Sequence, residues 1–189
     1  MPKRRVSQTL RSRRKLGSAS QMARGMKALS IERLTPSEVT TMKPSEIRSL
    51  VLAEHADLRK CLAEIEAITA HVLTGHELGE RNLREVAFGL CTGLEQHLAM
   101  EEALLLPAIR EVDAWGPVRA DHMQQEHQAQ RAALARLLGM ASDAAIVELA
   151  RTVQAFARTL IEDMKLEEKE LLNPNLLRDD VVSIDQFVG

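Results

Sequence analysis

Leu94-Glu95-Gln96-His97-Leu98-Ala99-Met100-Glu101-Glu102-Ala103-Leu104-Leu105-Leu106-Pro107 reads as a helix whose apolar face is interrupted. Leu94, His97, Glu101 and Leu104 fall at steps of three and four, which puts them on one side of a helix. That side is the one a helix buries. Burying an ionisable group without a partner costs several kcal/mol, so His97 and Glu101 need something to compensate them. Residues four apart on a helix are neighbours on one face. An imidazole and a carboxylate so placed can grip one cation together, or the carboxylate can bridge two.

The same interruption recurs on three other stripes. Ile47, Val51, His55, Leu58, Leu62 and Ile65 share one face of a first helix, expected from about Pro44 to about Leu73 and ended by Thr74-Gly75-His76. The quoted stretch lies in a second helix, expected from about Glu80 to Leu106, with Pro107 as its stop. Met123, His127, Leu134 and Leu137 define a third, roughly Val118 to Leu138, stopped by Gly139. Leu149, Val153, Phe156, Leu160, Asp163, Glu167 and Leu171 define a fourth, roughly Asp143 to Leu172, ended by Asn173-Pro174. Four such helices on short links predict an all-α, up-down-up-down antiparallel bundle.

The chain also repeats itself. The segment around Glu54, His55, Arg59, Leu62 and Ala63 matches the one around Glu126, His127, Arg131, Leu134 and Ala135. Leu94 to Leu105 matches Leu160 to Leu171, sharing Leu, Glu-Glu and Leu. The second helix pair therefore duplicates the first, and pseudo-twofold symmetry brings both polar sets to one point. His55, His97, Glu101, His127, Asp163 and Glu167 make up a nitrogen and oxygen donor set. Such a set suits iron, with manganese or zinc as alternatives, and not a thiolate-selecting metal. Carboxylate-rich sites for two metal ions inside four-helix bundles are a recurrent solution. Glu102 and Glu168 fall one step off the inward face, and His71, His76 and His122 read as surface residues.

With these residues in place, the chain resembles the hemerythrin-like family, the HHE cation-binding domain. The resemblance rests on Leu-Ala-Glu-His-Ala-Asp-Leu-Arg (52–59), His-Leu-Ala-Met-Glu-Glu-Ala-Leu-Leu-Leu-Pro (97–107) and Glu-Glu-Lys-Glu-Leu-Leu (167–172). It covers about residues 44 to 175, closely in the first half and partly in the second. It implies a non-haem di-iron centre that reacts with oxygen or related small molecules. The family pattern has His where this chain has Asp163. A carboxylate in place of an imidazole makes the site more anionic, which favours ferric iron and disfavours reversible oxygen carriage.

Composition is consistent with this reading. Hydrophobic residues are 45% and charged residues 28% of 189, with a net charge of -2, the profile of an ordinary globular protein. Tyr is absent, with three Phe and one Trp, so Leu, Ile, Val, Ala and Met must fill the core. Cys61 and Cys91 form no CxxC pair, which argues against a thiolate zinc site. Two thiols without a secretion signal point to the cytoplasm, and no apolar run is long enough to span a membrane.

Three regions are expected: a basic, disordered tail over 1–34, the bundle over 35–175, and an extension over 176–189. The tail carries Lys3, Arg4, Arg5, Arg11, Arg13, Arg14, Lys15, Arg24 and Lys27 before the first acidic residue, Glu32. Thr35-Pro36-Ser37-Glu38 has the form of a capping box that opens a short helical turn. The leading functional expectation is iron handling, or sensing or detoxifying oxygen, peroxide or nitric oxide. No enzymatic activity is expected beyond weak ferroxidase or peroxidase chemistry at an open di-iron site. The competing expectation is a helical interaction module with a vestigial metal site, working through a weak electrostatic partner of the basic tail or through the apolar C-terminal segment. The oligomeric state is open.

Overall fold

The computed structural model describes residues 42–75 and 80–180. The basic tail, the Thr35 capping box, His76 and the segment from Val181 lie outside these residues. Four helices make up the described chain: α1 (Pro44–Leu73), α2 (Glu80–Val112), α3 (Gly116–Asp143) and α4 (Ile146–Glu170). They form the expected antiparallel bundle. α2 packs on α3 and α1 packs on both α2 and α4, whereas α3 and α4 touch only sparingly.

The helix ends follow from local chemistry. Pro44 at the first position of α1 has no N–H to leave unsatisfied, and the Glu46 carboxylate accepts from the Lys43 N–H at 2.9 Å. α1 closes on Gly75, whose φ of 83° is the left-handed conformation glycine tolerates. Its N–H bonds the Val72 carbonyl at 3.0 Å. Arg84 of α2 donates to the carbonyls of Ala141 and Ala144 at the far end of α3, a favourable place for a cation.

Two helices run further than the sequence predicts. Pro107 lies inside α2, which continues to Val112. Proline there removes the N–H that would bond the Ala103 carbonyl, but Pro107 and Ala103 both face solvent, where water can serve that carbonyl. Gly139 likewise lies inside α3. It costs about 1 kcal/mol relative to Ala, too little to stop a helix anchored by Leu134 and Leu137, both buried. The turn into α3 does demand glycine. A Cβ on Gly116 would lie 2.4 Å from the Ile109 carbonyl oxygen, so only glycine lets this backbone approach the last turn of α2.

The core divides into two apolar clusters. One contains Leu58, Leu62, Leu90, Leu94, Leu98, Leu134, Val153 and Leu160. The other contains Ile47, Val51, Met100, Leu104, Leu105, Met123, Leu172 and Leu177. Between them, at the same height on α1, α2 and α3, lies a polar layer of His55, His97, Glu101 and His127, all buried. Residues past α4 help close the second cluster. Asp179 accepts from both the N–H and the hydroxyl of Ser45, at 3.0 and 2.8 Å, and Arg48 donates to the Leu172 carbonyl at 2.9 Å.

Candidate metal centre

Each helix delivers its polar residue into this layer for the reason it buries its leucines. His55 follows Val51 on the seam of α1, His97 and Glu101 follow Leu94 on α2, and His127 follows Met123 on α3. The ring atoms and carboxylate oxygens then meet. His97 Nε2 lies 3.0 Å from Glu101 Oε1, and His55 Nε2 lies 3.5 Å from that same oxygen. His127 Nε2 lies 3.3 Å from the other oxygen, Oε2. Glu167 of α4 also reaches the layer, its Oε2 3.5 Å from His55 Nε2.

These atoms are close, yet several are not bonded to one another. His55 Nε2, His97 Nδ1, Glu101 Oε1 and Glu167 Oε1 are buried with no hydrogen-bond partner. Buried polar groups are rarely left so. Ligand atoms of His55, His97 and Glu101 all lie within 4.8 Å of one another. Two ligands on opposite sides of an ion with bonds of about 2.2 Å stand about 4.4 Å apart. Adjustments of tenths of an ångström would bring the three onto one cation. The donor set and its orphaned atoms therefore fit a metal ion.

The electrostatics describe the same point. Burial opposes charge on His55, but its contacts with Glu101 and Glu167 raise it from 6.5 to about 10. Burial also opposes charge on His127, and Glu101 and Glu102 raise it. For Glu101, burial pushes upward, and the three imidazoles outweigh it and hold the carboxyl well below its usual range. Glu167 behaves in the opposite way: burial, then the neighbouring Glu101 charge, lift it from 4.5 to about 7. Protons on His55 and His127 supply positive charge that a bound cation would replace.

Asp163 stands at the margin of this group. It is half-buried, its Oδ2 accepts from Gln130 Nε2 at 3.2 Å, and burial raises its carboxyl. It lines the same cavity as His97, Glu101, His127 and Glu167. The short side chain does not bring it into an ion pair with the three imidazoles. The neighbouring Met164 is buried at 5% exposure. The period of 3.6 residues carries the seam of α4 from Val153 through Ala157 and Leu160 to Met164, so Asp163 and Glu167 flank it.

A second layer of residues was legible only in part. Glu168 Oε1 lies 2.9 Å from His55 Nδ1 and accepts from Arg59 Nη1 at 2.7 Å. Glu102 Oε1 lies 3.0 Å from His127 Nδ1 and accepts from Arg131 Nη1 at 2.6 Å. The two Arg–Glu–His chains are equivalent under the internal repeat. Each fixes the Nδ1 side of an imidazole and so aims Nε2 at the centre. The arginines are matched in the repeat, and that match is the signal that identifies them.

Other residues stay outside. His71 and His122 are exposed. Burial pushes the Cys61 and Cys91 thiols up to about 11, so neither offers a thiolate at neutral pH. No helix among the described residues is long and apolar enough to cross a membrane.

The family model of the hemerythrin HHE cation binding domain matches residues 46–173. The chain belongs to this family. The match spans all four helices and contains every residue of the polar layer. No curated protein and no solved structure is significantly similar to the chain. Membership in an HHE cation-binding family, together with the buried His and Glu cluster, makes metal binding the chemistry of this core.

Proposed function

We propose that this HHE domain holds two non-haem iron ions and acts in the cytoplasm in iron handling, or in sensing or detoxifying oxygen, peroxide or nitric oxide. One observation carries the reading. Glu101 turns one oxygen toward His55 and His97 and the other toward His127. A carboxylate so divided suits a bridge between two ions. His55 and His97 would serve one ion, and His127 the other. Glu167 and Asp163 would complete the set from α4.

Bound iron would supply one-electron chemistry toward small oxygen- or nitrogen-containing ligands. The chain's own residues do the rest. Glu102 holds His127 in orientation and Glu168 holds His55. The two apolar clusters close the layer above and below along the bundle.

The test is to load the protein anaerobically with ferrous iron and mix it separately with oxygen, hydrogen peroxide and nitric oxide, following absorbance. At least one should change the spectrum of the wild-type protein, and Glu101→Ala should abolish the change. An iron-loaded protein unresponsive to all three would rule out the small-ligand role and leave iron handling.

A further inference from the structure

A cavity of about 280 Å³ opens between α3 and α4 and reaches the polar layer. It exists because these two helices pack only sparingly against each other. Its walls are apolar: Leu58, Leu62, Leu98, Leu160, Met123 and Met164. Its floor is polar, formed by His97, Glu101, His127 and Glu167. Val118 and Leu166 also line it and are exposed at 59% and 46%, which marks them as its mouth.

This volume exceeds what a diatomic ligand requires. An apolar cavity of about 150 Å³ already accommodates benzene, so this one has room for about ten heavy atoms. The apolar walls favour a hydrocarbon body. The rim disfavours an anion: Glu126, Asp163 and Glu170 line the cavity with His122 and Arg119, and the Arg119 guanidinium is held by Asp113 at 2.7 Å. We infer that the cavity binds a neutral medium-chain molecule with one oxygen-bearing end, of the alcohol, aldehyde or hydroperoxide class. The chain lies among the leucines and methionines, and the oxygen faces the carboxylate–imidazole floor.

The inference rests on the metal reading only for the nature of the floor, because the walls are complete without an ion. Primary alcohols from ethanol to octanol are the probe, titrated into zinc-loaded and metal-free protein by calorimetry. Affinity should tighten about fourfold per added methylene and level off once the chain fills the cavity. Leu160→Trp, checked for helicity, should abolish the chain-length dependence. In the unaltered protein, octanol methylenes should give nuclear Overhauser contacts to the methyls of Leu58, Leu62 and Met164, a result independent of any variant.

Affinity that does not depend on chain length, or contacts confined to surface residues, would overturn the inference. Chain-length dependence in a protein that takes up no metal would uphold the cavity and refute the metal reading. Metal uptake without that dependence would do the reverse.

Discussion

Arg131 grips both oxygens of Glu102, through Nη1 at 2.6 Å and Nη2 at 3.0 Å, while that carboxylate also meets His127 Nδ1. The bidentate pair fixes the plane of the carboxylate, and the carboxylate fixes the ring. The guanidinium, and then the imidazole, hold Glu102 below its usual carboxyl range, so it stays ionised while doing so. Replacing an outer-shell partner of a metal-binding His typically costs about 10- to 100-fold in metal affinity. Glu102→Gln and Glu168→Gln should each fall in this range by competition with a chelating dye. Arg131→Met should shift affinity in the same direction by a smaller factor. Affinity unchanged in all three would mean that the imidazoles are oriented by packing alone.

Residues in the polar layer should matter more than those behind it. Glu101 contacts three imidazoles, whereas Asp163 is engaged by Gln130. Glu101→Ala should lower metal affinity most, Glu167→Ala next, and Asp163→Ala least of the three. An Asp163→Ala protein as impaired as Glu101→Ala would make Asp163 a full ligand despite its marginal position.

Stability of the chelated protein should depend on pH with a defined sign. His55 titrates near 10 when folded, above its ordinary 6.5, so its contribution is complete below about 6.5 and is lost as pH rises through 10. Glu167, raised from 4.5 to about 7 by burial and by Glu101, prefers its proton in the fold. Its contribution is therefore complete below about 4.5 and declines as pH rises through 7. Glu101, Glu102 and Glu168 are lowered, so their contributions are lost on acidification below about 4.5. Chelated protein should be most stable near pH 5 and melt progressively lower toward pH 10. Metal affinity should rise over the same interval, because ligands must shed protons to bind. A melting temperature that climbs from pH 5 to 9 without metal would contradict this electrostatic picture.

Backbone approach at the α2–α3 turn gives a prediction independent of metal. Gly116→Ala would put a methyl 2.4 Å from the Ile109 carbonyl oxygen and 2.6 Å from that of Arg110. Both are backbone atoms that cannot swing aside. Overpacking of this kind costs about 1–3 kcal/mol, readable as a lowered midpoint in urea. Gly139→Ala, with open space around its Cβ, should instead be neutral or stabilising by up to about 1 kcal/mol.

Periodicity makes the bundle legible because His55, His97, Glu101 and His127 sit on the same stripes as the leucines that bury them. The ends of α2 and α3 were less so. A proline and a glycine read as stops in sequence, and whether they stop a helix depends on exposure, which Pro107 and Gly139 reveal only once folded. The site divides in the same way. Seam positions named the imidazoles and Glu101. Gln130 holding Asp163, and Arg59 and Arg131 bracing Glu168 and Glu102, depend on contacts between helices that no single-helix period contains.

The central claim is that the polar layer is a metal centre. Metal analysis of freshly purified full-length protein, repeated after anaerobic ferrous reconstitution and desalting, tests it most directly. The account predicts about two iron ions per chain, as in the di-metal carboxylate bundles, and near-complete loss in Glu101→Ala with helicity retained. A wild-type protein that remains metal-free after reconstitution, with a melting temperature unmoved by chelator, would contradict it and leave a helical module with a vestigial site.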